Sequence, residues 1–242
     1  MTKIAFLTVL VFSLLAPVRA VEFTTDTAAG KKLTICRVDL RKEQLHLFLR
    51  DPAGQPLKTF ARLESLLKEQ GKKLAFAMNA GMYHADFSPV GLFIAAGKQL
   101  APLNTADDEG NFFLKPNGVF VITDKGAQVV ETSLYPKIEG KVILATQSGP
   151  MLVHKGKLHP AFNAGSESRL YRNGVCAPTP HEVVFVNSED PINFHEFATY
   201  FKDVLKCPEA LFLDGTINSL HSTELKRSDA RMDLGPMIGV IE

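Results

Sequence analysis

Along most of the chain, apolar residues fall in short runs broken by Gly, Pro, Asn or Asp, the pattern of many strands and few helices. Residues 34–40 and 44–49 alternate apolar with polar and predict the two half-buried arms of a hairpin. Short apolar runs predict further strands at 73–78, 90–95, 118–123, 128–131, 142–146, 151–154, 181–187 and 210–213. Two stretches carry helical periodicity instead. In 56–70, Leu57, Phe60, Leu63, Leu66 and Leu67 share one face, Pro56 suits the first turn and Gly71 the position just past the end. A second helix starts at Asn193, with Glu196 three residues on as a capping box. Phe194, Phe197, Phe201, Val204 and Leu205 form its core stripe, and Pro208 stops it. The expected class is α+β, a mixed, strand-rich sheet with two principal helices in a single domain.

The N-terminus departs from this pattern. Lys3 precedes an almost unbroken apolar run over 4–15, and Pro17 breaks the run ahead of Val18-Arg19-Ala20. These are the three parts of a cleavable secretory signal, 1–20, leaving a mature domain of 21–242. The run is shorter than the roughly 20 residues that cross a bilayer, and no cysteine follows it to carry a lipid. A periplasmic or secreted protein without stable membrane insertion is expected. Cleavage removes Lys3 and Arg19, so 27 basic residues become 25, against 26 acidic. That balance argues against nucleic acid as a partner. In an oxidising compartment Cys36, Cys176 and Cys207 allow one disulfide and one free thiol, with Cys176 and Cys207 slightly favoured because they flank a compact segment. Three buried thiols are the alternative.

The strong catalytic motifs are absent: no G-x-S-x-G, no H-E-x-x-H, no P-loop and no dinucleotide fingerprint, so no cofactor is expected. The seven histidines are scattered, and His84-Ala85-Asp86, the nearest thing to a metal pair, reads better as a solvated loop, so no metal site is assigned. What remains is four polar, Gly-containing segments at strand ends: Asn79-Ala80-Gly81-Met82-Tyr83, Gln147-Ser148-Gly149-Pro150, 169–174 and 213–219. Glycine there lets backbone N–H groups approach a ligand, and a neighbouring Asn or Asp adds a directed bond or a charge. Singly each is an ordinary turn; four in one chain point to a site displayed on a scaffold.

At these residues the chain resembles the phosphodiester glycosidase family, that of the lysosomal N-acetylglucosamine-1-phosphodiester "uncovering" enzyme and of bacterial exported proteins. The likeness is carried by Phe76-Ala77-Met78-Asn79-Ala80-Gly81-Met82-Tyr83, Ser88-Pro89-Val90-Gly91-Leu92, Gly110-Asn111-Phe112-Phe113, Pro116-Asn117-Gly118-Val119-Phe120, Ser148-Gly149-Pro150 and Leu213-Asp214-Gly215. It implies an exported hydrolase acting on a small-molecule or glycan phosphodiester, at the glycosidic bond of a sugar-1-phosphodiester. In that reading Arg172 holds the phosphate, with Arg169 in reserve, and Asp214 stabilises the oxocarbenium-like centre or activates water. Asn79, Asn218 and Ser219 orient hydroxyls or phosphate oxygens, and the N–H groups of Gly81, Gly149 and Gly215 complete an anion cradle. Tyr83, Ser148 and Asn173 join the substrate-binding set. The chain departs from the family where Thr216-Ile217-Asn218-Ser219 follow Asp214-Gly215 and where Arg172-Asn173-Gly174 stands for Arg-Thr-Ala. Two other classes stay open: a non-catalytic carbohydrate or cell-envelope binding module of the same fold, and a phosphodiesterase that cleaves P–O.

Overall fold

The computed structural model describes residues 21–215 and 217–242; the predicted signal, 1–20, and Thr216 lie outside the described residues. The strands build three sheets. In spatial order, the seven-stranded sheet runs Val21–Ala28, Lys31–Asp39, Glu182–Ser188, Asn173–Thr179, Ala210–Asp214, Met151–His154 and Lys157–Leu158. One five-stranded sheet runs Arg227–Ser228, Leu220–Ser222, Leu74–Asn79, Met237–Ile241 and Leu45–Phe48. The other runs Lys98–Ala101, Phe93–Ala95, Val142–Ser148, Gly118–Thr123 and Gly126–Glu131.

The α+β class and single domain hold, and the expected mixed sheet is corrected: the ladders among the described strands are antiparallel. Tight turns such as Asp124-Lys125 join several strands directly, and a two-residue turn can only reverse the chain. The expected hairpin of 34–40 with 44–49 is also corrected. Lys31–Asp39 pairs with Val21–Ala28 and Glu182–Ser188, whereas Leu45–Phe48 crosses to another sheet and pairs with Met237–Ile241. Alternation fixed which faces are buried, not which strand lies alongside.

The period of two in these strands explains the layers. Phe76 and Met78, Phe120 and Ile122, and Val183 and Phe185 point into one central core where the three sheets meet. Phe185 packs there on Phe76 at 5.6 Å, tilted, and on Phe120 at 6.0 Å, edge to face, and each buried Phe contributes roughly 1.5–3 kcal/mol. The intervening residues face outward and are covered in turn. Val184, Val186 and Phe212 meet the second helix, Ala77 meets the first, and Val119 and Val121 meet Leu103, Tyr135 and Ile138. Covered on both faces, the strands read as unbroken apolar runs.

The first helix is Phe60–Glu69, shorter than the stretch 56–70. Thr59 caps it by accepting from the Arg62 N–H at 3.2 Å, and Pro56 instead makes an extended bridge to Arg50. Gly71, at φ +69°, does end it. Its N–H donates to Lys68 O at 3.0 Å and that of Lys72 to Leu67 O at 2.9 Å, satisfying two of the carbonyls left open at the helix end. The second helix, Phe194–Thr199, carries the expected capping box and then widens into a π turn over Tyr200–Val204. That wider turn rotates Val204 off the core stripe, leaving it 55% exposed. Just beyond, Cys207 is joined to Cys176 by a disulfide, with Cα atoms 6.2 Å apart. Cys36 is left as a buried thiol whose pKa burial pushes well up.

Candidate functional site

Strand ends from two of the sheets converge on one polar cluster. Asp214 ends Ala210–Asp214, Asn79 ends Leu74–Asn79, and Asn173 begins Asn173–Thr179. The Asn79 amide donates to Asp214 Oδ2 at 3.1 Å, and the Asn173 amide donates to Asn79 Oδ1 at 2.6 Å. Asn79 Oδ1 also accepts from the Ser219 N–H at 3.0 Å, while Asn173 Oδ1 accepts from the Asp214 N–H at 2.9 Å. Asn218 reaches Ser188 O at 2.9 Å and accepts weakly from Asn173 at 3.4 Å. Ser148 Oγ donates to Leu213 O at 2.7 Å and so fixes the strand that carries Asp214.

A bulge aims the carboxyl. Gly174 lies opposite Phe212, yet Asn173 lies opposite Asp214, so the ladder slips by one residue between them. Strict alternation would put Asp214 on the Phe212 face, toward the second helix; the slip turns it to the face of Asn79 and Asn173. There burial pushes its pKa up to about 7, against the lowering pull of the Asn79 amide and the Gly215 N–H, which donates at 2.7 Å. Among the described residues no cation opposes that rise, which leaves the carboxyl poised to titrate near neutrality.

Asp214 is 9% exposed, and its outlet is an open cleft of about 630 Å³. Tyr83 and His84 line one part of the cleft, Asp108 and Glu109 with Asn111 to Phe113 another, and Met232 its rim. Tyr83 Oη donates to Asp233 O at 2.5 Å and its ring stacks on Phe87 at 5.7 Å. Burial foremost, then the charges of Asp214 and Asp233, push its pKa up to about 12, so it stays a donor. The wall containing Phe112 is stapled from beneath. Buried Gln147 accepts from the Leu92 and Asn104 N–H groups at 3.0 and 2.9 Å and donates to Asn104 O at 2.7 Å. Asn117 donates to Phe112 O at 2.8 Å.

The residues expected from sequence therefore divide. Asn79, Asn173, Asp214, Asn218 and Ser219 come together, Tyr83 lines the cleft, and Ser148 supports the carboxylate strand. Gly149 serves packing: a Cβ there would lie 2.6 Å from Asn117 Cβ and 2.7 Å from Phe112 O. Gly81, at φ +155°, passes Thr146 Oγ1, which a Cβ would approach to 3.0 Å. Gly215 commits its N–H to Asp214.

Arg172 is not brought to the cleft. It is buried on the opposite face of the sheet, its guanidinium 3.6 Å over the Phe194 ring, with Nε donating to Ile192 O at 2.8 Å. Burial, with no carboxylate partner among the described residues, lowers its pKa to about 10. Arg169, the reserve, is held by Glu196 through two bonds of 2.6 and 2.8 Å. Sequence reasoning missed Asn187, which lies opposite Asn173 with both amide atoms buried and unpartnered among the described residues. A polar residue just before the end of an apolar strand was the available signal. It also missed the 108–113 wall as part of the site.

A family model described as phosphodiester glycosidase matches residues 72–234. The uncharacterized protein YigE of Escherichia coli (strain K12) is 34% identical over 184 residues, 76% of this chain and 72% of YigE. Among solved structures, one similar fold is the zebrafish N-acetylglucosamine-1-phosphodiester alpha-N-acetylglucosaminidase catalytic domain, auto-inhibited by its pro-peptide. Its TM-score is 0.63 at 14% identity, over 93% of this chain and 84% of that one. A hypothetical protein from Synechocystis matches at TM-score 0.55 and 14% identity, over 91% of this chain and 61% of that one.

Proposed function

Because the chain belongs to the phosphodiester glycosidase family, we propose that it is an exported hydrolase that cleaves a sugar-1-phosphodiester between the anomeric carbon and the phosphate oxygen. The observation that carries this reading is the Asp214 carboxyl, buried, bonded to Asn79 and open to the cleft. A group with a pKa of about 7 is matched to proton transfer at neutral pH. In the ionised form Asp214 takes a proton from the attacking water. The water oxygen bonds to C1, and the C1–O bond breaks with its electron pair leaving on the phosphomonoester. That leaving group is a weak base, so the reaction needs little help from an acid, and a single carboxylate suffices. Asn79 holds one Asp214 oxygen and the Gly215 N–H the other, which fixes the carboxyl's direction. Tyr83 lines the cleft beside it.

The Cys176–Cys207 disulfide supports the export part of the proposal, since such bonds persist in oxidising compartments. The decisive variant is Asp214→Asn. Sugar-1-phosphodiester cleavage should fall by roughly 100-fold or more while the fold is kept. The wild-type rate should rise with pH and level off above about 7, as the carboxyl ionises. Near-normal turnover by the variant would sink the assignment. Saturable binding by the wild type without turnover would favour a binding module instead.

A further inference from the structure

A phosphodiester carries a negative charge, yet the carboxyls of Asp108, Glu109 and Asp214 line the cleft and Arg172 faces away from it. A cation must therefore come from the cleft's surroundings, and most of those present are committed. Arg169 is bound by Glu196, Arg227 by Glu189 and Asp229, Lys58 by Asp233 and Lys115 by Asp107. Arg231 differs. Its guanidinium lies over the Tyr171 ring, 4.9 Å from the centroid, and it makes no ion pair or hydrogen bond among the described residues. Stacking uses the flat face of a guanidinium and leaves its N–H edges free, the arrangement that meets two phosphate oxygens at once.

Its place in the fold is right for that task. Met232, the next residue, lines the cleft together with Asp214. On the other side, the Tyr171 backbone packs against Gly215, where a Cβ would sit 3.7 Å from Tyr171 O. The segment is also anchored: Asp233 O accepts from Tyr83 Oη, and Leu234 N–H donates to Lys58 O at 2.7 Å.

We infer that Arg231, braced on Tyr171 and next in the chain to the cleft residue Met232, is the residue that recognises the substrate's phosphate, the task that the sequence assigned to Arg172. The inference rests on the phosphodiester reading of the cleft, but its test does not depend on turnover. Calorimetric titrations would compare N-acetylglucosamine 1-phosphate and glucose 1-phosphate with the corresponding free sugars. The wild type should bind at least one sugar phosphate more tightly than its parent sugar. Arg231→Gln should lose roughly 10-fold or more of the sugar-phosphate affinity and none of the free-sugar affinity, with Arg231→Lys recovering part of it. Far-ultraviolet circular dichroism confirms that each variant is folded. His84→Gln, altering the basic side chain that lines the cleft itself, should have the smaller effect. Equal affinity in wild type and Arg231→Gln, equal loss for sugar and sugar phosphate, or no preference for the phosphate in the wild type would each overturn the assignment. A wild type that binds sugar phosphates through Arg231 but turns nothing over would uphold it and refute hydrolysis.

Discussion

Replacing Asp214 by Asn isolates the cost of burying its carboxyl. Burial raises its pKa from 3.8 to about 7. Between those values the unfolded chain has released the proton and the folded chain still holds it, so stability falls as pH rises and levels off above about 7. At about 1.4 kcal/mol for each tenfold change in proton affinity, the full rise corresponds to about 4 kcal/mol. Roughly 2–3 kcal/mol of that falls between pH 5 and pH 8. Asn carries no such proton, and the variant's altered bond to Asn79 adds an offset that does not depend on pH. Urea unfolding of both proteins at several pH values, with the disulfide intact, gives the comparison. The wild type should lose roughly 2–3 kcal/mol relative to Asp214→Asn from pH 5 to pH 8. A difference that stays flat over that range would mean that Asp214 titrates as an ordinary carboxyl, and the neutral-pH base would have to be sought elsewhere.

Asn79→Ala removes the partner of the Ser219 N–H, the Asn173 amide and one Asp214 oxygen together. It should cost roughly 2–4 kcal/mol in urea unfolding and lower turnover along with stability. Gly91→Ala would bring a Cβ to 2.5 Å from Gln147 Oε1 and 2.6 Å from Phe112 Cζ, so the stapled cleft wall must shift. A loss of roughly 1–3 kcal/mol and weaker substrate binding are expected, and unchanged melting would contradict the packing described. Reducing Cys176–Cys207, or replacing both by Ser, should lower stability by roughly 2–4 kcal/mol in thermal melts, whereas Cys36→Ala should leave the response to reductant unchanged.

The site was legible in sequence where the chain itself marks a strand end. Asn79, Asp214 and Asn218 each follow or interrupt an apolar run beside Gly, Ala or Ser, and local chemistry alone singles them out. Arg172 was misplaced because alternation keeps it on the face of Gly174 and Cys176, toward the second helix, while a one-residue slip in the partner strand, which no periodicity reveals, turns Asp214 to the other face. The paired elements 34–40 and 44–49 were read correctly as strands and wrongly as partners, since each finds its neighbour far along the chain. Val21–Ala28 is an edge strand with mostly exposed Glu and Thr, so it lacks the apolar alternation that would announce it. Asn173–Thr179 contains Gly174 and Pro178 and reads as loop, though its backbone is paired on both sides. The cleft wall at 108–113 and Arg231 sit in connecting segments, where position comes from tertiary staples such as Gln147 rather than from local pattern.

The most direct test of the central claim is hydrolysis of a sugar-1-phosphodiester in oxygen-18 water, with mass spectrometry of both products. The label should appear in the anomeric hydroxyl of the released sugar and not in the phosphomonoester. Label in the phosphate would mean that the P–O bond breaks and would contradict the claim.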